Sequence, residues 1–90
     1  MTTTSFHMDA TATTVVEILS GVLETTPDAL VEEPLLGAYD WDSVAILEAL
    51  VALEGAFGVE IDLQALHHQL TAGDLIELVR ATLTEHLGAS

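Results

Sequence analysis

Apolar residues recur at helical spacing in three separate stretches of the 90-residue chain. The first runs from about Thr11 to Thr25, the second from Asp42 or Ser43 to Gly58, and the third begins at Thr71. An apolar residue every three or four positions gives a helix one buried face. The predicted faces contain Val15, Ile18, Leu19, Val22 and Leu23; then Ile46, Ala49, Leu50, Leu53 and Phe57; then Leu75, Ile76, Val79 and Leu83.

The ends of these helices are marked by residues with known terminal preferences. Residues 26–28, Thr-Pro-Asp, have the chemistry of a turn that ends the first helix. Gly58 suits the left-handed position after the second helix, with Val59 folding back onto its last turn. Thr71 followed by Asp74 is typical of a capping box that opens the third helix.

The segments between the main helices are expected to contribute to one shared core. The connection from 27 to 42 is too long for a tight turn between neighbouring helices. We expect the side chains of Leu30, Leu35 and Leu36 to be buried in the core and to fix this connection. Between 61 and 70 the spacing of Leu63, Leu66 and Leu70 allows a short helix. The prediction is an all-α bundle of three main helices plus one short helix over residues 10–88, after a flexible threonine-rich tail at 1–9.

Charge and cysteine content narrow the possible functions. Fifteen acids stand against a single basic residue, Arg80, for a formal charge of −14. Such a surface repels nucleic acids and anionic lipids and favours basic protein partners. Because the chain has no cysteine, any thiol chemistry needs a cofactor. No apolar run could span a bilayer and no secretion signal precedes the helices, so we expect a cytoplasmic protein. Because the sequence starts at Met1 and stops soon after the last helix, we also expect a free-standing carrier, and we expect it to be a monomer.

Neither a catalytic site nor a metal site is indicated. None of the histidines at positions 7, 67, 68 and 86 has a recognisable relation to Ser43 that would make it a catalytic base. The side chains of the adjacent residues His67 and His68 point about 100° apart on a helix, so they cannot easily bind the same metal ion. The sequence Asp40-Trp41-Asp42 begins like a calcium loop, but Val44 stands where another oxygen ligand belongs.

The second helix has a second, outer stripe beside its core stripe, made of Val44, Leu47, Glu48 and Val51. A helix packed against one core needs only one apolar stripe. Either the outer stripe widens the core contact, or it forms a surface that meets a partner.

Three motifs together resemble the acyl carrier protein family. Asp42-Ser43-Val44 opens the second helix, residues 57–61 (Phe-Gly-Val-Glu-Ile) end it, and residues 71–75 (Thr-Ala-Gly-Asp-Leu) open the last helix. An Asp-Ser pair before a helix is usually only a cap, but the three motifs in this order are specific. The resemblance covers roughly residues 11–87.

The resemblance implies a function for the exposed serine. Ser43 would carry 4′-phosphopantetheine from coenzyme A, and that arm would bring the thiol that the chain lacks. The implied protein is a non-catalytic carrier. Its implied partners are a phosphopantetheinyl transferase, an acyl- or aminoacyl-loading enzyme, and a ketosynthase or condensing enzyme with basic docking surfaces. The expected partner-binding residues are Asp42, Val44, Leu47, Glu48 and Val51, and Glu54 is a further candidate.

Departures from the family pattern leave alternatives open. Val44 replaces the usual leucine, Asp40 stands where many members have glycine, and Trp41 is expected to pack under the preceding loop or to contact the arm. The leading prediction is a carrier for fatty-acid-like or polyketide biosynthesis, which the acidity favours. The alternatives are a peptidyl or aminoacyl carrier loaded by an adenylating enzyme, and an unmodified acidic helical adaptor.

Overall fold

The computed structural model describes residues 9–88, which form a bundle of α-helices. The elements are α1 (Ala10–Val22), α2 (Pro27–Glu32), a 3₁₀ turn (Leu36–Ala38), α3 (Ser43–Phe57), α4 (Leu63–His67) and α5 (Ala72–Gly88). Helices α1, α3 and α5 are the three long ones, and α1 packs on both of the others. The predicted all-α bundle is confirmed. The predicted tail, apart from Asp9, lies outside the described residues.

The helix ends follow local side-chain chemistry. Asp9 caps α1 by accepting from the Ala12 N–H at 2.9 Å. Gly58 is left-handed at φ 67° after α3, as predicted, and Val59 behind it is buried. The Thr71 hydroxyl accepts from the Asp74 N–H at 3.0 Å at the start of α5.

The sequence interpretation missed α2. Residues 26–28 do not end α1, which stops at Val22. Instead, Thr26 caps α2 by accepting from the Ala29 N–H at 3.1 Å, and Pro27 occupies the first turn, where its missing N–H costs no hydrogen bond. The Thr-Pro-Asp sequence is compatible with both a turn and a helix start. Here the helix forms, and it places the Leu30 side chain in the core.

Most of the core lies on the predicted helix faces, but the prediction missed Val16, which is fully buried. The largest fully buried side chains are Leu19, Leu30, Leu36, Leu53, Leu66, Leu75, Ile76, Val15, Val16 and Val79. Ile18, Val22, Leu50, Phe57 and Leu83 are partly buried and pack against these side chains. The prediction for Leu35 was wrong, because its side chain is 52% exposed. Leu63 and Leu70 are also exposed, and only Leu66 anchors the short helix α4.

Backbone hydrogen bonds, rather than Leu35, hold the long connection in place. The Leu36 N–H donates to the Leu70 carbonyl at 2.9 Å, and the Ala72 N–H donates to the Pro34 carbonyl at 2.8 Å. These bonds flank a single β-bridge between Leu35 and Thr71. The Tyr39 hydroxyl also donates to the Glu33 carbonyl at 2.8 Å. The segment that leads into α3 is thereby tied to the start of α5.

Arg80 links α5 to the start of α1. Its guanidinium lies 3.0 Å from Asp9 Oδ1 and 2.8 Å from Glu77 Oε2. The hydrogen bond to Asp9 is the main cause that raises the pKa of Arg80, while partial desolvation acts in the opposite direction. The ion pair connects α5 to the start of α1, and Asp9 both caps α1 and pairs with Arg80.

Candidate functional site

Ser43 is the first residue of α3 and is exposed to solvent. Asp42 precedes it as the N-cap, and its Oδ1 accepts from the Ala45 N–H at 2.9 Å. The Asp42 carbonyl accepts from the Ile46 N–H at 2.9 Å. Because Asp42 performs the capping, the Ser43 hydroxyl is not required for the helix start.

The other serine within the described residues has a different environment. Ser20 is 4% exposed, and its hydroxyl donates to the Val16 carbonyl at 2.8 Å inside α1. An enzyme could not reach that hydroxyl without opening the core. Ser43 is therefore the accessible serine of this part of the chain.

The N-terminus of α3 has free donors beside the serine. Within residues 9–88, the N–H groups of Ser43 and Val44 donate no hydrogen bond. Unpaired N–H groups and the helix dipole together favour an anion at this position. The start of α3 therefore fits a phosphate ester on Ser43.

The segment before Ser43 is tightly folded against the core. The Trp41 N–H donates to the Tyr39 carbonyl at 2.9 Å, and the Asp42 N–H donates to the Asp40 carbonyl at 3.0 Å. The Trp41 ring is half-buried and packs against the core, which confirms the expected packing under the loop. Its buried Nε1 has no hydrogen-bond partner among the described residues.

Two cavities of similar size flank the start of α3 and differ in chemistry. The first, the α3–α4 groove, has a volume of about 240 Å³ and is lined by Ser43, Ile46, Leu47, Leu63, Gln64 and His67. The second, the acidic pocket, also has a volume of about 240 Å³ and is lined by Val22, Leu23, Glu24, Asp40, Asp42, Val44, Ala45 and Glu48. No carboxylate lines the groove, whereas four line the pocket.

A larger cavity of about 620 Å³ lies at the other end of α3, where Glu54, Gly58, Val59 and Glu60 face Thr82 and Glu85. The Glu54 side chain makes a local hydrogen bond in this region, because its Oε2 accepts from the Ile61 N–H at 2.9 Å. This bond stabilises the chain reversal after α3. Glu54, which the sequence placed near the docking surface, therefore has a structural role.

The outer face of α3 is exposed as predicted. Val44, Leu47 and Val51 have 65%, 50% and 69% of their surfaces exposed, and Glu48 beside them is also exposed. On the opposite face, Ile46 and Leu53 are buried, while Leu50 and Phe57 are only half-buried. The outer stripe therefore does not widen the core contact, and its role in docking stays a prediction.

The described histidines are not part of a metal-binding cluster. The rings of His67 and His68 lie 6.1 Å apart, and His68 Nδ1 contacts the Gln64 carbonyl at 2.7 Å. Within the described residues, no group of three or more His, Asp or Glu side chains could hold a metal ion. His7 and the side chain of His86 lie outside the part of the chain that the structure describes.

Sequence reasoning did not place Leu63, Gln64 and His67 beside Ser43. No motif joins these residues, and the packing of α4 against α3 alone brings them together. Glu24 was likewise missed as a member of the acidic pocket, because it follows the end of α1, far from Asp42 along the chain.

Comparisons with known proteins agree with this geometry. The sequence model of a family described as "phosphopantetheine attachment site" matches residues 13–79, which include Ser43 and span α1 to the middle of α5. Neither a search of curated proteins nor a search of solved structures found a match. No helix of the described residues has the length and apolar character to cross a membrane. Because the match covers well over half of the chain, the protein belongs to the phosphopantetheine attachment site family, whose carrier domains bear a 4′-phosphopantetheine prosthetic group.

Proposed function

We propose that the protein is an acyl carrier protein that carries 4′-phosphopantetheine on Ser43. The observation that carries the proposal is the exposed Ser43 hydroxyl at the first position of α3, within the segment that matches the family. The other described serine, Ser20, is buried and bonded to its own helix. The arm supplies the thiol that holds acyl groups as thioesters, which a cysteine-free chain cannot supply.

The chain's own residues would present the arm rather than react. Asp42 holds the first turn of α3, so that Ser43 needs no hydrogen bond of its own to keep the helix start. The N–H groups of Ser43 and Val44 and the dipole of α3 favour the phosphodiester by about 0.3–1 kcal/mol. On this proposal the protein is a substrate of its partner enzymes and has no catalytic group.

The outer face of α3 is the proposed docking surface for those enzymes. Val44, Leu47 and Val51 form an exposed apolar strip that leads away from Ser43, and the carboxylates of Asp42 and Glu48 flank it. An apolar strip with an acidic rim complements an enzyme surface that has an apolar centre and basic side chains around it. The proposed partners are a phosphopantetheinyl transferase, an acyl-loading enzyme and a ketosynthase or other condensing enzyme.

The proposed cargo is an acyl group of fatty-acid-like or polyketide biosynthesis in the cytoplasm. The acidity of the chain supports an acyl rather than an aminoacyl carrier, and so do the Ile46, Leu47 and Leu63 side chains of the α3–α4 groove. An apolar groove beside the attachment site can cover part of an alkyl chain that would otherwise face water.

Intact-protein mass spectrometry tests the proposal. The chain is co-expressed with a broad-specificity phosphopantetheinyl transferase, and Ser43→Ala is the matched control. We expect a gain of one phosphopantetheine group, located on the peptide that contains Ser43, and no gain for the variant. Absence of the gain in the wild type would favour the unmodified adaptor. Loading by an adenylating enzyme but by no acyltransferase would favour the aminoacyl carrier.

A further inference from the structure

We infer that His67 is a positioning residue whose imidazole contacts the phosphodiester of the arm on Ser43. This inference rests on the proposed function. It assigns a role to a side chain that no motif of the sequence singles out. His67 and Ser43 line the same α3–α4 groove, one on each helix.

Electrostatics decide on which side of Ser43 the phosphodiester lies. The acidic pocket has the carboxylates of Glu24, Asp40, Asp42 and Glu48, and a phosphodiester there would meet like charges. The α3–α4 groove has no carboxylate in its lining. The groove is therefore the side on which an added negative charge is repelled least.

Few of the side chains that the structure describes can donate a hydrogen bond from a basic nitrogen to that phosphate. These candidates are Arg80, His67 and His68. Arg80 is paired with Asp9 and Glu77 at the start of α1 and does not line the groove. His68 does not line the groove either, and its Nδ1 contacts the Gln64 carbonyl. His67 is thus the described side chain that combines a place in the groove with an N–H donor suited to a phosphate oxygen.

The consequence is a direction for the first part of the arm. With its phosphodiester held by His67, the first part of the arm would lie on the groove side of Ser43, away from Glu24 and Asp40. The apolar walls formed by Ile46, Leu47 and Leu63 then lie beside it. The Val44 and Val51 strip on the outer face of α3 stays free for a partner.

Nuclear magnetic resonance of the apo and loaded protein tests this inference, with His68 as the internal control. Loading should shift the imidazole resonances of His67 and leave those of His68 within the line width. In loaded samples, His67→Gln should move the ³¹P resonance of the phosphodiester more than His68→Gln does. Circular dichroism should show both variants folded, because both side chains are exposed.

The outcomes separate this inference from the proposed function. Equal ³¹P spectra for the two variants, or His67 resonances that do not respond to loading, would overturn the role of His67 in a protein that mass spectrometry shows to be modified on Ser43. A protein that is never modified on Ser43 would overturn the proposed function and this inference with it.

Discussion

Adjacent residues at the start of α3 have separate tasks. The Asp42 carboxylate accepts the Ala45 N–H, while the Ser43 side chain is exposed and makes no hydrogen bond within the described residues. This separation allows a group as large as phosphopantetheine to be added to the serine without any change in the helix cap.

Substitutions at these two positions should therefore affect stability differently. Asp42→Ala removes the cap and should lower the free energy of unfolding by about 1 kcal/mol, whereas Ser43→Ala should change it by less than about 0.5 kcal/mol. Urea denaturation followed by circular dichroism measures both. Asp42→Asn is the control, because it keeps the capping oxygen and should restore most of the stability. A larger loss for Ser43→Ala than for Asp42→Ala would contradict the assignment of the cap.

Glu24 has an unusual backbone for a residue with a side chain. Its φ is +57°, just after the end of α1, in the left-handed region where glycine is favoured. Glu24→Gly should raise the free energy of unfolding by roughly 1 kcal/mol. Glu17→Gly removes the same charge from the interior of α1 and should lower it by about 1 kcal/mol. Thermal melts of both variants, run in parallel with the wild type, test this prediction. If both variants change the stability in the same direction, the lost charge and not the backbone conformation dominates.

At the scale of single elements, one glycine inside α3 and one directly after it have opposite roles. Gly58 is left-handed at φ 67° after the last turn, whereas Gly55 lies inside the helix and is exposed. A Cβ added at Gly55 would meet nothing within 4 Å. Gly55→Ala should thus stabilise the protein by about 0.5–1 kcal/mol, and Gly58→Ala should destabilise it by roughly 1 kcal/mol. Chemical denaturation of both variants measures these changes. A stabilising Gly58→Ala would contradict the left-handed conformation at position 58.

The two faces of α3 should respond differently to charge. Glu48→Lys on the exposed face should leave the melting temperature nearly unchanged but slow cofactor transfer about three- to tenfold at low salt, because rim charges steer association. The deficit should shrink as salt rises, since screening acts over roughly 8 Å at physiological ionic strength. The rate of cofactor transfer is measured by quenching the reaction at set times and quantifying the loaded protein by mass spectrometry.

Two variants serve as controls for this prediction. Glu17→Lys makes the same change of net charge on α1 and should transfer at nearly the wild-type rate. Ile46→Asp places a charge at a side chain that is only 5% exposed and should cost roughly 3 kcal/mol or more of folding free energy. If Glu48→Lys is loaded at the wild-type rate at low salt by every enzyme tried, the docking surface lies elsewhere. If Glu48→Lys unfolds the protein, the two faces have been misassigned.

For the whole molecule, the dominant feature is the charge of −14, with one Arg against fifteen acids. Arg80 forms ion pairs with Asp9 and Glu77, but its single positive charge leaves most of the acidic charge uncompensated. Self-repulsion should therefore destabilise the folded state at neutral pH and low salt. Adding about 0.15 M NaCl, which shortens the screening length to about 8 Å, should raise the melting temperature by several degrees, at roughly 4–8 °C per kcal/mol.

A charge-reduced variant controls for other effects of salt. Replacing the exposed Glu32 and Glu33 by Gln removes two charges from the α2 region and should weaken the salt response. If the melting temperature of the wild type does not change with ionic strength, the charge repulsion is equal in the folded and unfolded states.

Most of the local architecture was predictable from the sequence. The periodicity of the apolar residues located α1, α3 and α5, and Gly58 and Thr71 marked the helix ends that the structure has. These features depend on residues within a few positions of one another, so a linear pattern contains them. The same pattern located the outer stripe of α3. It left open whether this stripe widens the core contact or faces solvent, and the packing of the helices leaves it exposed.

The tertiary structure decided what lies between and beside these helices. Leu30 is buried whereas Leu35 is exposed, because the bonds from Leu36 to Leu70 and from Ala72 to Pro34 fix the direction of the connection. The surroundings of Ser43 were decided in the same way. The sequence by itself determined that an exposed serine follows a capping aspartate at the start of a helix. The packing of α4 against α3 alone placed His67 beside that serine, because side chains far apart along the chain meet only when their helices share a core.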